Sequence, residues 1–263
     1  MQIVNIERVR TTRGQEYDVT LDTGVVERFT GITTQLGVID KPALKFWAAN
    51  EERKWCVDAA YALYAISHNL TLMSRQDYAQ TLRDRLGRGF AFNRTLKRSQ
   101  DTGLTAHAAC EHWARVKLGT ADGSGPTLTD EAAQVAFMSF QDWAKSADLR
   151  PHAAEMRLCS LQHKFAGTAD LIATVNGHPT LIDFKTSKAI YTTHLLQCCA
   201  YHVAFEEMGR GKLDGALVVR LPKDLDGDCA CEVVPVPPIA ELWPGVEAAL
   251  KLWQFLQTRE AAA

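Results

Sequence analysis

The sequence predicts an α/β protein, a mixed β-sheet preceded by a helical N-terminal lobe. Three observations lead there. Between residues 41 and 148 apolar side chains recur at helical spacing, interrupted by one Gly-, Ser- and Pro-containing stretch at 119–126. After Pro151 the pattern changes to short apolar runs bounded by turn residues. Among those turns stands Asn176-Gly177, the strongest hairpin signal in the chain.

The elements follow in order. Residues 1–30 read as a β-hairpin: Val4, Ile6 and Val9 form one run, Tyr17, Val19 and Leu21 alternate, and Asp22-Thr23-Gly24 turns the chain towards Phe29. A helix is expected from Pro42, a residue suited to a first helical turn, to about residue 69. Leu44, Trp47, Ala48 and Glu51 keep its spacing, and Trp47 and Trp55 are expected to face the core. Further helices are expected at 74–86 and 102–118, and a fourth opens at Thr129-Asp130-Glu131 and ends near 148. Strands are then expected at 155–161, 165–175 and 180–185, followed by a helix at 193–207 and a buried strand at 215–220. A turn at 224–228 leads to an edge strand at 231–235, ended by Pro235, and a helix over 238–258 closes the chain. The second half thus reads β-β-β-α-β-β-α. One domain over 1–263 is expected, with the hairpin at 1–30, the helical lobe at 31–150 and the α/β core at 151–263.

Bulk composition excludes several classes. With 46% hydrophobic and 23% charged residues, the 263-residue chain can bury an ordinary core. A net charge of -2 is not that of a broadly basic nucleic-acid binder, so any such surface must be a local patch. No apolar run approaches the ~18 residues of a membrane span. The first residues alternate like a strand and lack an apolar signal core, so a cytoplasmic protein is expected. Of the seven cysteines, only Cys198-Cys199 and Cys229-Ala230-Cys231 are close together, and neither has CxxC spacing. No iron–sulfur cluster is expected, and the cysteines read as thiols.

Charges in apolar surroundings mark the candidate site. The run from Ala166 to Ala173 is apolar apart from Thr168 and Asp170, and Leu181 to Lys185 is apolar apart from Asp183 and Lys185. Residues two apart on a strand share a face, so Asp183 and Lys185 point one way and Phe184 the other. Asp170 and Asp183 are thirteen residues apart with Asn176-Gly177 between them, so the hairpin brings them together on adjacent strands. Two carboxylates that close repel unless a cation intervenes, and oxygen ligands suit Mg²⁺ or Mn²⁺. Such an ion can bind a phosphate oxygen and acidify a water, while Lys185 orients or deprotonates that water or stabilises developing charge. The alternative is a structural ion triad in which Lys185 bridges the two aspartates.

Further residues add a resemblance. Gly167-Thr168-Ala169-Asp170, then Asp183-Phe184-Lys185-Thr186, then Gln197-Cys198-Cys199-Ala200-Tyr201 resemble the G-x-x-D, D-[YF]-K-T and Q-x-x-x-Y signature of RecB-type nucleases in the PD-(D/E)XK superfamily. Upstream, Gly103, His107 and Glu111 resemble that family's G-x-x-x-H-x-x-x-E helix. Gly31 to Gly37 resembles the opening of phage and mitochondrial genome-maintenance exonucleases of this group. The proline of the superfamily name is absent, since Ala169 precedes Asp170, and position 183 is Asp rather than Glu; both are habits of the RecB branch.

The resemblance implies a restriction-endonuclease-like mixed sheet flanked by helices. It implies Asp170, Asp183, His107 and the Phe184 carbonyl as ligands of Mg²⁺ or Mn²⁺, and Lys185 as the catalytic lysine. Glu155 matches the family's upstream acid and is expected at a second metal or a metal-bound water, or else as an exposed strand carboxylate. Gln197 and Tyr201 are expected to position the scissile phosphate or Lys185, and Glu111 to be solvated or an indirect partner of His107. Nucleic-acid contacts are expected from the basic segment holding Arg88, Arg94, Lys97 and Arg98, where Phe90 and Phe92 interleave, and from Thr186, Ser187 and Lys188.

The expected function is hydrolysis of DNA phosphodiester bonds, as an exonuclease on single strands or free ends. DNA is the expected partner, together with a protein of recombination or replication. The alternatives are an endonuclease of the same fold and a non-catalytic nucleic-acid-binding subunit.

Overall fold

A computed structural model describes residues 2–11, 14–66, 74–87, 89–223 and 230–260. By compactness the chain divides into a unit of residues 1–39 and 102–263 and a unit of residues 40–101.

The first unit holds both sheets. The N-terminal segment is a three-stranded meander rather than a hairpin: β1 (Ile3–Thr11), β2 (Gly14–Leu21) and β3 (Val26–Thr30) pair antiparallel in sequence order. The first run is long enough to be a strand in its own right, so β2 has a partner on each side. A short helix α1 (Ile32–Gln35) and a 3-10 turn follow. Buried Gln35 explains part of that segment's signature. Its Nε2 donates to the Thr30 carbonyl and to the Lys164 carbonyl, both at 3.0 Å, tying the meander to the larger sheet.

The larger sheet has the order β4-β5-β6-β7-β8, with β4 (Arg150–Ser160), β5 (Phe165–Val175), β6 (His178–Lys185), β7 (Gly215–Arg220) and β8 (Glu232–Pro235). β6 and β7 are parallel and the other neighbours antiparallel, which makes the sheet mixed as expected. Helix α6 (Thr192–Glu207) is the crossover that the parallel pair requires. Asn176 and Gly177 have φ of 49° and 90°, the two positive values of a tight hairpin turn. β8 is an edge strand of this sheet, ending at Pro235.

Helices cover both faces. On one, α6 and α7 (Ile239–Glu260) pack Leu196, Ala200, Val246 and Leu250 against Leu158, Leu181 and Val218. On the other, residues of α4 (Ala91–Lys117) and α5 (Glu131–Ser146), among them Ala106, Cys110, Ala136 and Phe140, pack against Leu171, Ile182, Phe184 and Val219. This is the restriction-endonuclease-like arrangement, a mixed sheet flanked by helices with further helices N-terminal to it. Cys110, Cys159, Cys198 and Cys199 are buried free thiols.

The second unit is helical: α2 (Pro42–Ile66), α3 (Arg75–Leu86) and the start of α4. Helix α4 begins at Ala91, about three turns before the predicted start at 102. Residues 91–101 carry Ala, Leu, Lys, Arg and Gln, all good helix formers, and the glycines at 87 and 89 end α3 without reaching into α4. The unit is fastened by the Phe92 amide donating to Glu52 at 3.0 Å and by Trp47 edge-on to Phe92 at 6.4 Å. Trp55 is not a core residue. It is 36% exposed, with the Arg94 guanidinium 4.4 Å above its ring. The expected helix end near 69 and the turn at 224–228 lie outside the described residues. Among the described residues no helix is long and apolar enough to cross a membrane.

Candidate active site

Strand register assembles the site. The pairs Ala154–Leu171 and Met156–Ala169 bracket Glu155 and set it opposite Asp170. The last pair of the next ladder, Leu171–Ile182, makes Asp170 and Asp183 the next residues in step. Glu155, Asp170 and Asp183 therefore occupy one row across β4, β5 and β6. The row is irregular at both joints. Glu155 has a left-handed backbone, φ 50°, which costs an L-residue ~1–3 kcal/mol and is concentrated at functional sites. Beyond Leu171–Ile182 the β5–β6 ladder stops, and the Asp170 side chain takes over from the backbone. Its Oδ2 accepts the Phe184 amide at 2.6 Å. The carbonyl of a strand residue lies on the same edge as its amide, so the Phe184 carbonyl is on the Asp170 side too.

Alternation along β6 sorts the neighbours. Phe184 turns into the α4–α5 face, edge-on to Phe140 at 5.3 Å and to His107 at 6.1 Å. From that side His107 Nδ1 approaches Asp170 Oδ1 at 3.5 Å. Asp183 and Lys185 turn the other way, as predicted, and the Lys185 ammonium is ion-paired with Asp183 Oδ2. On that side Gln197 Nε2 donates to the Tyr201 hydroxyl at 2.8 Å and reaches Asp183 Oδ1 at 3.4 Å. The i, i+4 spacing on α6 is what lets both side chains serve one spot.

Two signature glycines are explained by close approach. A Cβ on Gly167 would stand 3.0 Å from Tyr201 Cζ and nearer still to Cε1, so the ring of Tyr201 lies on the bare Cα. A Cβ on Gly103 would meet Thr186 Oγ1 at 2.6 Å. Thr186 is thus a packing partner of α4, and the Ser187 hydroxyl donates to the Ala189 carbonyl at 2.7 Å within its own turn. Lys188 is exposed.

The charges balance in pairs. Burial alone would raise Asp170, but His107, then Lys185 and the Phe184 amide, outweigh it and hold the carboxyl below its usual range. Burial pushes Asp183 up to about 6, against Lys185 and with help from Asp170. Burial would depress both cations; Asp170 nevertheless lifts His107, and Asp183 and then Asp170 lift Lys185. Glu155 is raised to about 7 by burial, then by Asp170 and Glu111.

Among the described residues no three His, Cys, Asp or Glu side chains form a ready-made metal cage. The donor set still fits Mg²⁺ or Mn²⁺, which keep several waters and take one or two carboxylates. Asp170, Asp183 and the Phe184 carbonyl are hard oxygen donors, and buried Asp183 Oδ2 has no hydrogen bond, only the ion pair with Lys185.

Not every expected residue joins this group. Glu111 pairs with Arg115 at 2.6 Å instead of with His107. Arg94, Lys97 and Arg98 are exposed on the first turns of α4 in the second unit, and Arg88 lies outside the described residues. Sequence reasoning missed Arg8, Arg157 and Arg210, which with Arg115 and Glu155 line one cavity. They are dispersed over two hundred positions, and no local spacing signals them.

A model of the PD-(D/E)XK nuclease superfamily matches residues 62–250. No curated protein matches the chain. Among solved structures, the crystal structure of SSO0001 is 13% identical, with the match covering 64% of this chain and 87% of that one at a TM-score of 0.30. The stretch matched by the family takes in the carboxylate row, its lysine and most of the chain, and the protein belongs to the PD-(D/E)XK nuclease superfamily.

Proposed function

We propose that this chain is a RecB-type deoxyribonuclease that hydrolyses phosphodiester bonds with Mg²⁺ or Mn²⁺, working as an exonuclease on single strands or free ends. The observation that carries the reading is the register row of Glu155, Asp170 and Asp183 with Lys185 beside it. A structural triad does not require a strained Glu155 at one joint and a broken ladder at the other.

Each side chain has a task. Asp170, Asp183 and the Phe184 carbonyl would hold the metal, with His107 as a further ligand once neutral. A bound divalent ion supplies a Lewis acid for a phosphate oxygen and lowers the pKa of a water. Lys185, whose pKa is raised, enters as an ammonium, so it stabilises the developing phosphorane charge rather than taking the proton of the attacking water. Glu155, near neutrality, is matched to accept that proton. Gln197 and Tyr201 fix the orientation of Asp183.

The test is an end-labelled single-stranded oligonucleotide incubated with Mg²⁺, Mn²⁺ or EDTA, alongside circular single-stranded DNA. Degradation of the linear strand with either ion, none in EDTA and none by Lys185→Ala is expected. Degradation in EDTA would falsify the mechanism, and cutting of the circle would reassign the enzyme as an endonuclease.

A further inference from the structure

We propose that a cationic cavity beside the carboxylate row is the track for the phosphates of one nucleic-acid strand. The inference rests on the nuclease reading of the row and adds where the substrate lies. The cavity has a volume of about 550 Å³ and is lined by Arg8 from β1, Arg115 from α4, Arg157 from β4 and Arg210 after α6. Four guanidiniums face two carboxylates, Glu111 and Glu155, so the cavity is locally positive in a chain of net charge -2. It is the kind of local patch that an acidic nucleic-acid binder must have.

The four arginines divide into two roles. Arg157 donates to the Ile6 carbonyl at 2.7 Å and Arg115 is paired with Glu111, so both are anchored and shape the wall. Arg8 and Arg210 are exposed and have no side-chain hydrogen bond or ion pair among the described residues. Arg8 acts on Glu155 only through its charge, so both guanidiniums remain planar forks of donors without a hydrogen-bonded acceptor among the described residues, and phosphate is the ligand that such a fork matches.

Location gives the direction of the strand. Glu155 lines the cavity and is also the register neighbour of Asp170, so the track ends on the row. Size and lining give the class. A space of this volume falls in the ~300–1,000 Å³ range of ligand pockets, enough for a short stretch of one strand and not for a duplex. Among the described residues no aromatic ring lines it, so affinity is expected from charge rather than base stacking, with little sequence preference.

The experiment is fluorescence anisotropy with a labelled oligothymidylate in EDTA, over a series of monovalent salt concentrations. Each phosphate contact on a single strand contributes a slope of ~0.7 in log K against log salt. Arg8→Gln/Arg210→Gln should flatten the slope by ~1.4, which is a loss of ~25-fold in affinity at ~0.1 M salt. Arg8→Lys/Arg210→Lys keeps both charges and should keep the slope. Arg150→Ala/Lys251→Ala, an equal charge change on other surfaces, should leave binding unaltered. An RNA strand of equal length should lose as much as the DNA strand, since the track reads phosphates. An unchanged slope in the Gln pair, or an equal loss for a blunt duplex, overturns the track. If the wild type cuts the strand while the Gln pair binds normally, the track falls and the nuclease reading stands. If the wild type binds through these arginines but cuts with no divalent ion, the nuclease reading falls and the track stands.

Discussion

Gly167→Ala tests whether the two distant motifs G-x-x-D and Q-x-x-x-Y are one packing unit. The added methyl would sit 3.0 Å from Tyr201 Cζ and 3.1 Å from its hydroxyl, with Cε1 closer. Ordinary contacts lie at 3.4–4 Å, so the ring must withdraw by about 1 Å. Tyr201 is 3% exposed and wedged among α6 and sheet residues, so there is little room to yield. Overpacking of this kind costs ~1–3 kcal/mol. With a urea slope of ~3 kcal/mol/M, the unfolding midpoint should fall by roughly 0.3–1 M. The consequence at the site is larger. Tyr201 holds Gln197 at 2.8 Å, and Gln197 faces Asp183, so a 1 Å displacement is passed on to the carboxylate; misplacement on that scale costs ~10²-fold in rate. Urea denaturation followed by tryptophan fluorescence and single-turnover cleavage of an oligonucleotide read the two effects. Replacing Tyr201 by Leu in the same background should restore stability beyond additivity, with a coupling of ~1 kcal/mol or more. A Gly167→Ala protein with unchanged midpoint and rate, or strictly additive substitutions, refutes the reasoning.

Three further outcomes follow from the electrostatics. Mn²⁺ binding by calorimetry should tighten from pH 6 to 8 and release protons, because the ion must displace protons from raised His107 and Asp183; pH-independent affinity would contradict this. Lys185→Met should abolish cleavage and cost ~3–5 kcal/mol of stability at pH 8, where Asp183 is left charged and unpaired. Because Asp183 is raised, its carboxyl takes up a proton on acidification, so the cost should shrink by pH 5; urea melts showing the same loss at both pH values sink the pairing. Glu155 carries a folded-state pKa of about 7 against the usual 4.5, so its contribution to stability is complete below 4.5 and lost as pH rises through 7. Glu155→Gln should flatten the fall in thermal stability across that window, and a fall as steep as in the wild type would show that another group causes it.

The hairpin and its register were legible because Asn176-Gly177 fixes the turn, and one register then dictates every facing pair up to Asp170 and Asp183. The side on which Lys185 points followed from alternation alone. The meander was misread because the sequence between the first and second runs carries no two-residue hairpin signature. The early start of α4 was missed because its first turns are polar and exposed, and exposed helix shows no apolar period. Signature matching placed Glu155 as the family's upstream acid but could not show its left-handed backbone, which is a tertiary property. The cationic cavity was invisible in the same way, since its arginines meet only when β1, β4, α4 and the end of α6 are assembled.

The paired charges at the row have a consequence for how this enzyme comes into being. His107 neutralises Asp170 and Lys185 neutralises Asp183, so the acidic centre carries its own counterions. Unlike a zinc finger, whose fold waits for its ion, such a protein is expected to fold without a divalent cation. On the proposed reading a divalent ion would meet a finished scaffold as a reagent and not as a strut, and a chelator should silence cleavage without unravelling the molecule.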